Sequence, residues 1–120
     1  MMTRDELIGT INSMRKLEKD WNGYGAEAFS DNLCDKVIDI INRLEDINLP
    51  RLVVPTGRNS IQMEWEESES NGYLEIEVFE DRIGMYREYD IQSSEIDDEI
   101  KTFSNHVSKC KEVNTEMKND

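Results

Sequence analysis

At Pro50 the spacing of apolar residues changes from three-and-four to strict alternation, and this change restricts the fold more than any other feature of the 120-residue chain. A helix stacks positions three and four apart on one face, whereas a strand turns successive side chains to opposite faces. A chain that is helical first and alternating afterwards is predicted to be α+β, with helices gathered on one face of an antiparallel sheet. The length suits one domain, expected over residues 1–113 with a polar tail at 114–120.

Before Pro50, Leu7, Ile8, Ile11, Met14 and Leu17 form one apolar stripe. Thr3-Arg4-Asp5-Glu6 reads as a capping box, in which the Thr3 hydroxyl accepts from the Glu6 amide while the Glu6 carboxylate reaches back. Asp20-Trp21-Asn22-Gly23-Tyr24-Gly25 breaks this helix, because Asn and Gly adopt positive φ at little cost. A second helix is predicted from about Asp31, capped by Ser30, with Leu33, Val37, Ile38, Ile41, Leu44 and Ile47 inward and Pro50 as its outer limit.

After Pro50, Leu52-Val53-Val54 reads as a short strand ending before Pro55. Ile61, Met63 and Trp65 alternate with Gln62, Glu64 and Glu66, and Leu74, Ile76 and Val78 alternate with Glu75 and Glu77. Asp81-Arg82 turns the chain into Ile83-Gly84-Met85-Tyr86-Arg87. Connections this short predict a β-meander of three to four strands, aliphatic face toward the helices and glutamate face outward. Ser94-Glu95-Ile96-Asp97 repeats the capping pattern and opens a C-terminal helix carrying Ile96, Ile100, Phe103, Val107 and Cys110 on one side.

The formal net charge is −13, and the acidity is concentrated in the middle of the chain. Residues 51–100 hold fourteen acids against four bases, compared with ten against six before them and three against four after. Such a field repels nucleic acid and anionic lipid and speeds encounter with basic proteins. No apolar run approaches the ~18 residues that span a bilayer, and the N-terminus lacks a signal-peptide pattern. The expectation is a cytoplasmic protein with Cys34 and Cys110 as reduced thiols, touching neither membrane nor nucleic acid directly.

No catalytic constellation is readable. The chain has one histidine, His106, so a nucleophile–base–orienter triad has no base. His106 and Cys110 stand four apart, but two ligands do not make a metal site. The loop Glu67-Ser68-Glu69-Ser70-Asn71-Gly72 has a calcium-loop rhythm but carries glutamate at its first and third places and Val78 at its twelfth. Neither Gly23-Tyr24-Gly25 nor Pro55-Thr56-Gly57-Arg58 has the spacing of a phosphate-binding loop. No catalytic residue, metal or cofactor is therefore assigned.

Two constellations ask for an explanation. If Trp65 pairs with Leu74, Glu64 lies opposite Glu75 at roughly 5 Å between Cβ atoms, with Glu66 and Glu77 diagonal to them, which is destabilising. Either Arg58, Arg82, Arg87 or a lysine of the last helix folds over the row, or a basic partner meets it. The second constellation is Trp21, Tyr24 and Phe29 around two glycines, which forms either a hydrophobic plug or a recognition loop. Trp21 continues the stripe of the first helix, which argues for burial.

Trp21-Asn22-Gly23-Tyr24-Gly25-Ala26, followed by Pro50, Pro55-Thr56-Gly57, Ile61-Gln62-Met63-Glu64-Trp65 and Leu74-Glu75-Ile76-Glu77-Val78, resembles a family of small bacterial and phage-borne proteins. That family is of uncharacterised function and is marked by a Trp-[Asp/Asn]-Gly-Tyr-Gly-Ala segment and a later Glu-Trp strand. The resemblance covers about residues 14–80, departs at the missing proline after Ala26 and at Arg58-Asn59-Ser60, and implies two helices with a small sheet.

The leading expectation is a non-catalytic, acidic protein-interaction module, such as an anti-defence (nucleic-acid-mimicking) or antitoxin-like inhibitor. Glu64, Glu66, Glu75 and Glu77, with Trp21 and Tyr24, would meet a basic protein surface. One alternative is a small-ligand or metal-dependent enzyme using carboxylates near the Trp21–Tyr24 loop. Another is a scaffold that pairs with its own copy through Ile100, Phe103 and Val107.

Overall fold

The computed structural model describes residues 2–67, 72–89 and 96–105. The order of elements is α1 (Arg4–Met14), α2 (Asp31–Arg43), a turn of 3-10 helix (Asp46–Asn48), β1 (Leu52–Thr56), β2 (Ser60–Glu67), β3 (Gly72–Val78) and β4 (Ile83–Arg87). A third helix, α3, occupies residues 96–105. The fold is α+β, as the change of period predicts.

Both early caps form as expected. The Thr3 hydroxyl accepts from the Glu6 amide at 3.1 Å and Glu6 Oε1 accepts from the Thr3 amide at 3.2 Å. Ser30 Oγ accepts from the Leu33 amide at 3.1 Å. Arginines then tie α1 to α2 at both ends. Arg4 donates to the carbonyls of Ile41 and Leu44, the latter at 2.6 Å, so the start of α1 caps the end of α2. Arg15 donates to Asp31 Oδ1 at 2.9 Å and to Asp35 at the other end. The hydrogen bond to Asp35, then that to Asp31, raises the Arg15 pKa above its ordinary value.

The four strands pair in sequence order as an antiparallel meander. Trp65 lies opposite Leu74 and Glu64 opposite Glu75, the expected register. The first strand runs further than expected, through Pro55 to Thr56, because β1 is an edge strand and has a side on which proline's missing N–H is not required. Gly57, Arg58 and Asn59 connect it to β2. Asn59 takes φ 59°, supplying the left-handed residue that three-residue hairpin loops need.

One apolar core lies between the sheet's inner face and the helices. Leu7, Ile11, Leu33, Val37, Ile41, Ile61, Met63, Leu74, Ile76 and Val78 are fully buried in it. Trp65 joins them with its indole N–H donating to the Asn48 carbonyl at 2.8 Å. Ile47, expected inward, is 79% exposed. α2 ends at Arg43 and the following 3-10 turn has a different period, so the helical spacing that placed Ile47 on the apolar face no longer applies.

Helix α3 packs on the same core, with Ile100 and Phe103 buried. They are buried in this chain's own core, so a scaffold built by pairing Ile100, Phe103 and Val107 with a second copy loses two of its three residues. Val107, His106, Cys110, the Ser94-Glu95 cap, the residues 68–71 of the calcium-like loop and the 114–120 tail lie outside the described residues. Cys34 is a free thiol buried in the core, and that burial raises its pKa.

Candidate functional site

Alternation along the strands turns Gln62, Glu64 and Glu66 of β2 and Tyr73, Glu75 and Glu77 of β3 away from the core, with Tyr86 of β4 beside them. The four glutamates are therefore massed on one sheet face, as the sequence predicts, but they are not bare. Arg58 grips Glu77 with two parallel bonds, Nε to Oε2 at 3.0 Å and Nη2 to Oε1 at 2.9 Å. Ser60 donates to the same carboxylate. Arg51, just before β1, lies 3.3 Å from Glu66 and 3.5 Å from Glu64. Two arginines thus fold over the row, Arg58 being among those the sequence offers and Arg51 not.

The middle of the row is held differently. The Gln62 amide donates to Glu64 Oε1 at 2.9 Å and to Glu75 Oε1 at 3.0 Å, so one neutral group bridges the two opposed carboxylates. The Tyr73 hydroxyl donates to Glu75 Oε1 at 2.9 Å. Among the described residues no arginine or lysine comes within ion-pair distance of Glu75. Burial, the hydrogen bond to Glu75 and the charge of Glu64 together push the Tyr73 phenol pKa well above its ordinary value, which keeps it a donor. The bridge satisfies hydrogen bonds of both carboxylates, while Arg51 reaches Glu64 but not Glu75.

The other cations expected over the row lie elsewhere. Arg82 stacks on Phe79, its Cζ 3.9 Å from the ring centroid, and pairs with Asp81. Arg87 faces inward and meets Glu99 of α3 at 3.0 Å. Sequence reasoning missed Glu99, a fully buried acid, although a signal was available. Ile83, Met85 and Arg87 share one phase of the alternation, and an arginine on the inner face requires a buried acid opposite it.

The aromatic constellation divides. Trp21 and Phe29 pack at 5.7 Å between ring centroids, and the Trp21 indole N–H donates to the Glu27 carbonyl at 3.1 Å. Tyr24 instead stands 93% exposed. The loop that carries it is closed by the Asp20 amide donating to the Ala26 carbonyl at 2.6 Å. Inside the loop Asp20 Oδ1 accepts from the Gly25 amide at 2.6 Å, and Asn22 Oδ1 accepts from the amides of Tyr24 at 2.9 Å and Ala26 at 3.2 Å. Asp20, Gly23 and Gly25 take positive φ. The motif residues other than Tyr24 thus have a local structural cause.

Two clefts on the described surface lie away from this loop. One, of about 480 Å³, is lined by Met2, Thr3, Arg4, Asp5, Asp46 and Leu49. The other, of about 210 Å³, lies between the end of α2 and the start of α3. Among the described residues no three His, Cys, Asp or Glu side chains gather to hold a metal ion, and no helix is long and apolar enough to cross a membrane. Comparisons with protein families, curated proteins and solved structures find no match.

Proposed function

We propose that the chain is a non-catalytic, acidic interaction module that binds a basic protein surface of the kind nucleic-acid-binding proteins carry, and so acts as an inhibitor of such a protein. The observation that carries this reading is Glu75, set opposite Glu64 and bridged to it by the Gln62 amide, with no cation of the described residues within ion-pair distance of it. Two like charges across a strand pair cost stability, and a neutral bridge satisfies their lone pairs without removing the repulsion. A guanidinium or ammonium group from a partner removes it and gains a charge-assisted hydrogen bond. The net charge of −13 adds steering toward such a surface.

The flanking arginines refine the picture. Arg58 pairs with Glu77, and Arg51 is shared between Glu66 and Glu64, which leaves the excess negative charge of the face centred on Glu75. Recognition then depends on position as well as on charge.

The test is a complex formed with a basic protein isolated from the source cells at low salt, its affinity measured over a range of salt concentrations. Binding that weakens steeply with salt, and is lost in the Glu64→Lys, Glu75→Lys variant while the fold survives, supports the reading. Affinity indifferent to salt and to that charge reversal contradicts it.

A further inference from the structure

The Asp20–Ala26 loop is built to hold one side chain in solvent. Asp20, a non-glycine residue in left-handed backbone (φ 66°), receives a hydrogen bond from within the loop on its carbonyl from the Gly23 amide at 3.0 Å and on its carboxylate from the Gly25 amide. Asn22 takes two more amides. Trp21 and Phe29 fix the base to the core. The result is a phenol with 93% of its surface in water.

We infer that Tyr24 is the aromatic anchor of the interface, seated in a slot rimmed by arginine or lysine on the same basic protein that engages Glu64 and Glu75; this rests on the function proposed above. Tyrosine offers a large, amphipathic contact with only two side-chain torsions to order, and a loop already fixed by its own hydrogen bonds lowers the entropy cost of docking. A cation over its ring adds attraction. The position suits a continuous footprint. Asn22 Nδ2 lies 3.1 Å from where a side chain on Gly57 would begin, and the next residue, Arg58, holds Glu77 on the outer face. The loop therefore meets the β1–β2 turn, from which Arg58 reaches Glu77 at one end of the glutamate row. A second copy is the less fitting occupant, because two chains each carrying −13 repel one another.

Ile47, at 79% exposure, provides an internal control. A single exposed aliphatic side chain is ordinary on a protein surface.

The experiment places the photo-crosslinker p-benzoylphenylalanine at position 24, at position 86, opposite Glu75 on the outer face, or at position 47 of the full chain and irradiates each in extract of the source cells. The basic protein joined to position 86 is then purified, and its affinity is measured for the wild-type chain, Tyr24→Ala, Tyr24→Phe and Glu64→Lys, Glu75→Lys. The expected result is one basic protein joined at 24 and 86 but not at 47. Tyr24→Ala then weakens binding at least about tenfold with the salt dependence unchanged, and Tyr24→Phe recovers most of the loss. The melting temperature of Tyr24→Ala should equal that of the wild type, since the exposed ring has no packing to lose.

Wild-type affinity of Tyr24→Ala, a crosslink at 24 no stronger than at 47, or a crosslink between two copies overturns the anchor. Loss with Tyr24→Ala but not with the charge reversal retires the glutamate reading and leaves the anchor standing. Loss with the charge reversal alone does the opposite.

Discussion

Arg87 Nη1 lies 3.0 Å from Glu99 Oε1, and the Glu99 side chain has no exposed surface. The pair joins β4 to α3 across the inner face of the sheet, and the Tyr89 hydroxyl completes it at 3.1 Å from Glu99 Oε2. Removing one partner of a buried pair leaves an uncompensated charge, whereas removing both does not.

Arg87→Met is therefore expected to destabilise the fold by about 2 kcal/mol, less than for a pair buried on both sides, because the arginine itself is partly solvated. Arg87→Met combined with Glu99→Leu should return to within about 1 kcal/mol of the wild type, since no charge is then left buried alone. Chemical denaturation of the two single variants and the double variant measures both. Additive losses would show that the two side chains act independently.

Two glycines should respond to alanine with opposite signs. Gly25 has open space around it but φ of +81°, where a Cβ meets its own backbone, so Gly25→Ala should cost about 1–2 kcal/mol. Gly9 lies on the exposed side of α1 with nothing within 4 Å of an added Cβ, so Gly9→Ala should gain about 0.5–1 kcal/mol. Thermal melts of the two variants decide the signs.

Stability should decline in alkali through Tyr73 and Tyr89. Burial, followed by hydrogen bonds to Glu75 and Glu99 respectively, raises both phenol pKa values above the ordinary value of 10. The unfolded chain loses these protons near pH 10 while the folded chain keeps them, so above that pH the folded state binds more protons and stability falls as pH rises. Below it the stabilisation is fully present. Denaturation at successive pH values should show a steeper alkaline decline in the wild type than in Tyr73→Phe, Tyr89→Phe.

Much of this architecture was legible in the sequence because the signals are local. Thr3 and Ser30 cap where their spacing says they do, and period-two alternation turned the glutamates outward, while the Trp65–Leu74 pairing entered as a condition that the sheet meets. What escaped depends on contacts distant in sequence. Arg51 lies before β1, outside any alternating pattern, so its reach to Glu64 and Glu66 across the edge of the sheet had no periodic signature. Pro55 stopped the first strand on paper but not in space, because an edge strand tolerates a missing donor. The aromatic segment gave its composition but not its division, since only the closed loop separates a packed Trp21 from an exposed Tyr24.

The central claim is that the excess charge of the outer face is centred on Glu75, which Gln62 bridges to Glu64. Its most direct measurement is an NMR titration of the labelled protein with a hexa-arginine peptide, following the Gln62 side-chain amide and the backbone amides of 64 and 75. The largest shifts should fall on those groups, fade as salt is raised, and disappear in Glu64→Gln, Glu75→Gln. Shifts of equal size along the Asp31, Asp35 and Asp39 side of α2, unchanged by that double substitution, would contradict the account.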